Sequence, residues 1–198
     1  MTRIIAGAAR GRRLAVPPGR STRPTADRAR EGLFSTLESL AGTLRGARLL
    51  DLYAGSGAVG LEALSRGAAV ALMVDSDAAA VRAMEANIAA VGLPGAQVQR
   101  VPAERLLSAP LADDPFDIAF LDPPYELDDD AVRGVLVDAL AHGWLAPGAV
   151  VAVERGTRGG QWTWPGCLVA DRSRRYGEAT LWYGHAGPSP AAPPMTEV

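Results

Sequence analysis

Asp122-Pro123-Pro124-Tyr125 directly follows an apolar run, Phe116–Leu121. These four residue types, in this order, suit methyl transfer to an exocyclic amine. The amine of adenine or guanine is a poor nucleophile because its lone pair is conjugated into the ring. Two acceptors aimed at its two hydrogens favour a pyramidal nitrogen and free that lone pair. The Asp122 carboxylate can be one acceptor and the Pro123 carbonyl the other. Two consecutive prolines fix the backbone, so the carbonyl is already aimed. Tyr125 offers a flat face for stacking a base, worth about 1–3 kcal/mol. Alignment and polarisation supply the rate, so no metal is needed. The competing reading of the same residues is a rigid turn with a packed tyrosine. A base inside a duplex cannot reach such a pocket, so the target must be unpaired or flipped out.

The methyl donor needs its own seat. Asp51-Leu-Tyr-Ala-Gly55-Ser-Gly57-Ala-Val-Gly60 lies between a strand-like and a helix-like segment. Its glycines allow a sharp turn and close approach to a ligand at a helix N-terminus. Gly55, Gly57 and Gly60 also have the spacing of dinucleotide binders, so NAD must be weighed. Two carboxylates turn the balance toward S-adenosylmethionine, which carries an ammonium and a ribose but no pyrophosphate. Asp51 closes the strand before the glycines, where it can orient an ammonium group. Asp75 closes the next strand, where it can accept both ribose hydroxyls. Asp122 itself, Ala54 and Ser56 of the turn, Ser76, and Ala103 are further candidate cofactor contacts. The plainer role for Asp51 and Asp75 is helix capping.

The elements that must position these residues read as a βα alternation. Strands are expected at Arg48–Tyr53, Val70–Asp75, Gln97–Val101, Phe116–Leu121 and Val150–Glu154. Helices are expected over about 58–66, after Asp77 to Gly92, and from Asp128–Asp130 to about Ala141, with Val81, Met84, Ile88 and Val91 facing inward in the second. Ahead of them, Thr25 is placed to cap a helix ending near Ala41, with Ala29, Leu33, Phe34, Leu37, Leu40 and Ala41 on its apolar face. Strands separated by helices imply an α/β fold with a parallel sheet. Two departures frame it. Residues 2–6 and 12–16 can pair as an N-terminal β-hairpin. Leu168–Arg175 and Ala179–Gly184 read as an antiparallel hairpin around Tyr176-Gly177. Trp162 and Trp164 are expected in core or rim packing. Three regions result: a basic hairpin or arm (1–24), a catalytic domain (25–185) and a Pro/Ala-rich tail (186–198) expected to be disordered.

The net charge of −2 hides an asymmetry. Residues 1–30 hold eight arginines and one acid, Asp27; the other 168 residues hold twelve arginines and twenty-one acids. A basic arm on an acidic body suits a polyanion that meets the arm first. A single cysteine, Cys167, excludes an internal disulfide, and two histidines leave no ligand set for a zinc site. There is no apolar run of membrane-spanning length, and no signal-peptide core follows the N-terminal arginines. A cytoplasmic, metal-free protein, expected to be monomeric, fits these facts.

The chain resembles the RsmD-type 16S rRNA guanine-N2 methyltransferases over nearly its whole length. The residues that carry the likeness are Arg3-Ile-Ile-Ala-Gly7, Arg10-Gly-Arg12, Arg23-Pro-Thr25, Asp27-Arg28, Arg30-Glu31, Leu33-Phe34, the segment Leu50–Gly67, and Leu121–Tyr125. The N-terminal set is the specific part. The resemblance implies a class I S-adenosylmethionine-dependent methyltransferase: a Rossmann-like, mostly parallel seven-stranded sheet with an antiparallel last strand. It implies N2-methylguanine in 16S rRNA as product, formed on free rRNA or within the small ribosomal subunit. It also implies that Thr25, in the Arg23-Pro24-Thr25 loop, lies near cofactor and target base. Arg3, Arg10, Arg12, Arg13, Arg20 and Arg23 are the candidate RNA contacts. The alternatives are an adenine-N6 methyltransferase acting on DNA or RNA, a protein-glutamine methyltransferase, and a non-catalytic RNA-binding assembly factor. A DNA reader usually needs an added recognition domain, and about 150 residues here are already used by the fold. The arginine arm argues against a protein amide, and the intact Asp122–Tyr125 argues against a retired enzyme.

Overall fold

The computed structural model describes residues 2–17 and 24–187, with side chains at 2–17 and 27–187. The sheet follows from contiguous apolar strands that are buried on both faces. β1 (Thr2–Arg3) and β2 (Arg13–Leu14) form a separate antiparallel pair. The central sheet runs β5 (Ala96–Arg100), β4 (Val70–Asp75), β3 (Arg48–Leu52), β6 (Phe116–Leu121), β7 (Leu145–Gly156), β9 (Ala179–Ala186), β8 (Leu168–Tyr176). The first five are parallel; β9 runs antiparallel to both β7 and β8. This is the expected seven-stranded class I methyltransferase arrangement.

Helices α1 (Pro24–Ala41), α2 (Ala58–Ser65) and α3 (Ala78–Val91) contribute Leu33, Phe34, Leu37, Leu61, Leu64, Met84 and Val91 to one core, against Leu49, Met73, Ile118, Phe120 and Tyr183. Helices α4 (Ala103–Leu107) and α5 (Asp129–Ala141) build the core on the opposite face with Leu107, Val132, Val135 and Leu136. Asp77 caps α3 by accepting from the Ala79 N–H at 2.8 Å, and left-handed Gly92 ends it. Asp128 caps α5 by accepting from the Ala131 N–H at 2.7 Å. Trp162 is buried against Trp164 and α5's Arg133, as packing predicted.

The structure differs from expectation in local ways. Helix α1 starts at Pro24, which suits a first helical turn because proline has no N–H to leave unpaired; Thr25 is therefore inside the helix and not its cap. Ala41 is exposed, because the helix ends before it can turn back to the core. In α3 the inward face also takes Ala80, Ala83 and Asn87, while Val81 and Ile88 are half-buried. Strand β5 is displaced by one residue from Gln97–Val101, and β7 begins at Leu145, five residues early. Helix α4 and a short 3-10 turn (Thr157–Gly159) were not expected.

The hairpin is fastened to α2. Glu62 is 0% exposed and accepts from the N–H groups of Ile5 (2.7 Å) and Ala6 (2.9 Å). Arg66 donates to Glu62 at 2.9 Å, and Arg30 stands 4.0 Å away. The Ser65 hydroxyl accepts from the Ala9 N–H and donates to the Ala6 carbonyl. Gly7 has φ +78° and presses on the Ser65 carbonyl so closely that no Cβ fits. Ile4, Ala9 and Leu14 are buried in the α1–α3 core. The tail beyond 187 lies outside the described residues.

Candidate active site at the strand carboxyl ends

The polypeptide reverses its direction of winding at β3, whose neighbours β4 and β6 lead to opposite edges of the sheet. Open α/β sheets bind ligands beyond the strand carboxyl ends at such a point. Here a cleft of about 350 Å³ opens among Tyr53, Asp75, Ser76, Ala103, Pro124 and Leu127. Cofactor sites have volumes of this order, about 300–1,000 Å³.

The glycine turn is built as its spacing demands. Gly55 and Gly57 have φ +58° and +72°, and Gly57 caps α2. A Cβ at Gly60 would stand 2.6 Å from Met73 Cγ, so this glycine lets α2 close on β4. Tyr53 holds φ +60°, a costly conformation for an aromatic residue. Its hydroxyl donates to Glu104 at 2.7 Å, linking the turn to α4. Burial first, and then Glu104, push the Tyr53 hydroxyl well above its ordinary pKa, so it remains a donor.

Four carboxyls gather at the strand ends. Asp51 is 1% exposed and accepts from the Gly60 N–H at 2.9 Å. Burial chiefly, with the charges of Asp122 and Asp75 adding, pushes its carboxyl up to about 7. Asp75 accepts from the Gly55 N–H at 2.8 Å and the Asp77 N–H at 2.9 Å, one on each oxygen. Glu154, at the end of β7, is pushed up to about 8 by burial and by the Asp122 charge. A folded state that holds protons the unfolded chain releases loses stability as pH rises through that interval. For Asp51 and Glu154 the interval runs from their ordinary 3.8 and 4.5 to about 7 and 8. The ligand-free protein should therefore be more stable at pH 5 than at pH 8. The expected gain is about 3 kcal/mol, discounted for Glu154's partial solvent access, or roughly 5–10 °C in Tm. A flat Tm between those pH values would show both groups ionised in the folded protein.

Asp122 continues β6, its N–H donating to the Leu52 carbonyl at 3.4 Å. Pro123 is buried, and Tyr125 is 72% exposed, with most of its surface toward solvent. The other side rests on Gly156, where a Cβ would stand 3.3 Å from Tyr125 Cε1. Arg155 clamps the loop that follows, donating to the Leu127 carbonyl at 2.8 Å and pairing with Asp129 at 2.7 Å. The sequence reading missed Glu154, Arg155 and Gly156.

Of the candidate cofactor contacts, Asp75, Ser76 and Ala103 line the cleft. Asp51 lies in β3, Ala54, Gly55, Ser56 and Gly57 form the turn beyond it, and Asp122 is close enough to raise Asp51's pKa. Of the arginines, Arg3, Arg10, Arg12 and Arg13 are exposed, and Arg12 donates to the Ala90 carbonyl at 3.0 Å at the end of α3. Arg20 and Arg23, and the side chain of Thr25, lie outside the described residues. Among the described residues there is no cluster able to hold a metal ion, and no helix is long and apolar enough to cross a membrane.

A cleft of this kind on a sheet of this order, with acids at successive strand ends and a bent glycine turn, defines a class I S-adenosylmethionine-dependent methyltransferase. The family described as "Conserved hypothetical protein 95" matches residues 2–185. Ribosomal RNA small subunit methyltransferase D of Escherichia coli K12 is 38% identical over 180 residues, covering 89% of this chain and 85% of its own. The Haemophilus influenzae protein of the same name is 35% identical, over 77% of each chain. The solved structure of Escherichia coli yhhF superimposes with a TM-score of 0.81 at 34% identity, covering 93% of this chain and 97% of its own. The chain belongs to this family of RsmD-type ribosomal RNA methyltransferases.

Proposed function

We propose that the protein transfers a methyl group from S-adenosylmethionine to the exocyclic N2 amine of a guanine in 16S rRNA. The observation that carries this reading is the row of carboxyls Asp51, Asp75, Asp122 and Glu154 at the strand ends. A buried, uncompensated acid such as Asp51 fits a cationic ligand. The same row repels the pyrophosphate of NAD, which argues against the dinucleotide reading of the glycine spacing.

The donor supplies an electrophilic methyl group on a sulfonium centre. In this reading Asp51 binds its ammonium, Asp75 its ribose hydroxyls, and Ser76 and Ala103 form the wall of the cleft. Asp122 and the Pro123 carbonyl hold the amine hydrogens. Pro124 stiffens the turn, and Tyr125 stacks the extruded base from the solvent side. Methylation acidifies the nitrogen, and its extra proton passes to Asp122 or to water. Thr25 and Arg23 belong near the target base by family likeness. The relatives named for the small ribosomal subunit support 16S rRNA as substrate, free or in the subunit, and a monomer suffices for every role above. An adenine-N6 reading would use the same Asp122–Tyr125 segment, but nothing in the structure favours it.

Transfer of a labelled methyl group to 16S rRNA and to small subunits, followed by nucleoside mass analysis, tests the reading. N2-methylguanosine is expected; N6-methyladenosine would overturn it. Replacing Arg10 and Arg13 with alanine should weaken RNA binding and flatten its salt dependence. For each phosphate of a single strand that is no longer neutralised, the log–log slope should fall by about 0.7. Arg12, held by the Ala90 carbonyl, should add less than either. A slope that does not move would remove the hairpin from the RNA interface.

A further inference from the structure

Glu154 has no role in the transfer as derived, yet it stands beside Asp122. Strands β6 and β7 are parallel neighbours paired through Leu121↔Val153, so Asp122 and Glu154 come next on each. Leu121 and Val153 share one core, so by alternation Asp122 and Glu154 point together toward the opposite face. Adjacent strands are about 4.8 Å apart. Two residues beyond Glu154, Gly156 supports the Tyr125 ring. Glu154 is mostly buried at the mouth of the site and has no hydrogen-bond or ion-pair partner among the described residues. A carboxyl in that state needs donors beyond the described residues.

Resting on the guanine-N2 reading, we propose that Glu154 recognises the N1–H of the target guanine while Asp122 holds the neighbouring N2 amine, so that two carboxyls on adjacent strands select guanine over adenine. On guanine's edge the amine is followed by a second donor, N1–H, and then by the O6 acceptor. One oxygen of the Glu154 carboxyl accepts from N1–H. In its protonated form, which burial beside Asp122 favours, the other oxygen donates to O6. On adenine the amine is followed by an acceptor, N1, and then by a carbon. There the protonated Glu154 leaves one oxygen unpaired and the ionised form leaves both. A site built to pair with a polar edge rejects a base that lacks it, because its own buried groups go unsatisfied. Tyr183 of β9, whose hydroxyl also feels the Glu154 charge, is fully buried and contributes no base contact.

The test compares small subunits reconstituted with 16S rRNA that carries, at the mapped target position, either guanine or 2-aminopurine. The analogue keeps the N2 amine but has an acceptor at N1 and no O6. The wild-type protein should prefer guanine by about 10–100-fold in single-turnover rate. In Glu154→Ala that preference should collapse to about threefold or less, through a slower rate on guanine. Glu154→Gln, whose amide repeats the acceptor and donor of the neutral acid, should keep it. An unchanged preference in Glu154→Ala would overturn the proposal, as would a collapse in Glu154→Gln equal to that in Glu154→Ala. If Glu154→Ala does not fold, the glutamine variant and the wild-type ratio decide, and a wild type indifferent to the two bases overturns the proposal. Nucleoside analysis separates the two levels: N2-methylguanosine with an unchanged ratio removes only Glu154, whereas no N2-methylguanosine removes the underlying reading.

Discussion

Asp122→Ala should lower the rate of methyl transfer by at least about 10²–10³-fold, the loss found when one pre-aimed polar group is removed from a reacting centre. Cofactor affinity should stay within a few fold, because Asp51, Asp75 and the glycine turn are untouched. Single-turnover transfer and calorimetric titration with S-adenosylmethionine measure the two separately. Equal losses in both would place Asp122 in cofactor binding and not in polarisation of the amine. A second readout follows from the electrostatics. The Asp122 charge helps hold Asp51 and Glu154 above their ordinary pKa values, so both should titrate lower in the variant. The stability gain on acidification should shrink with them.

Glu62→Ala should be the most damaging single change outside the site. Glu62 receives two backbone N–H groups of the hairpin and the Arg66 guanidinium at full burial. Removing it strands those donors, and Arg30 loses the nearby charge that offsets its own burial. Breaking such a buried network costs about 3–5 kcal/mol, or roughly 6–20 °C in Tm for a domain of this size. RNA affinity should fall together with the hairpin's attachment, while cofactor binding in the folded fraction persists. A Tm change under roughly 3 °C would show that the hairpin is held by its apolar packing alone.

The two predictions fall on opposite sides of what the sequence makes visible. Strands β3, β4 and β6 are legible because a strand buried on both faces must be an unbroken apolar run. Asp77 and Asp128 are legible because a capping acid sits at a fixed offset from the helix it starts. The Asp122–Tyr125 turn stands out because two prolines between an acid and an aromatic have few structural uses after a strand. Glu62 is not legible. It lies in an eight-residue helix where a glutamate ordinarily faces solvent, and only the folded-back hairpin buries it. Glu154 and Arg155 are hidden for another reason: their roles come from the register of β7 against β6, which no local pattern encodes. The early start of β7 is hidden by Pro147 and Gly148, residues that weaken any strand reading. Helix α4, at five residues, is too short for a periodic signal. The arginine count reads well as a charge but poorly as a surface, since Arg12 and Arg30 spend their guanidinium groups on backbone carbonyls.

Helix α2 begins just after Gly57, in the glycine turn, and ends at Ser65, in the hairpin's grip. At 1.5 Å per residue those eight residues make a strut of about 12 Å. On the proposed function, ribosomal RNA pulling on the hairpin and the sulfonium donor resting on the turn would lean on the two ends of one stiff rod. A substitution that tilts the rod disturbs both binding events at once, so second-site repair of a weakened cofactor seat should be sought in the hairpin as well as in the cleft.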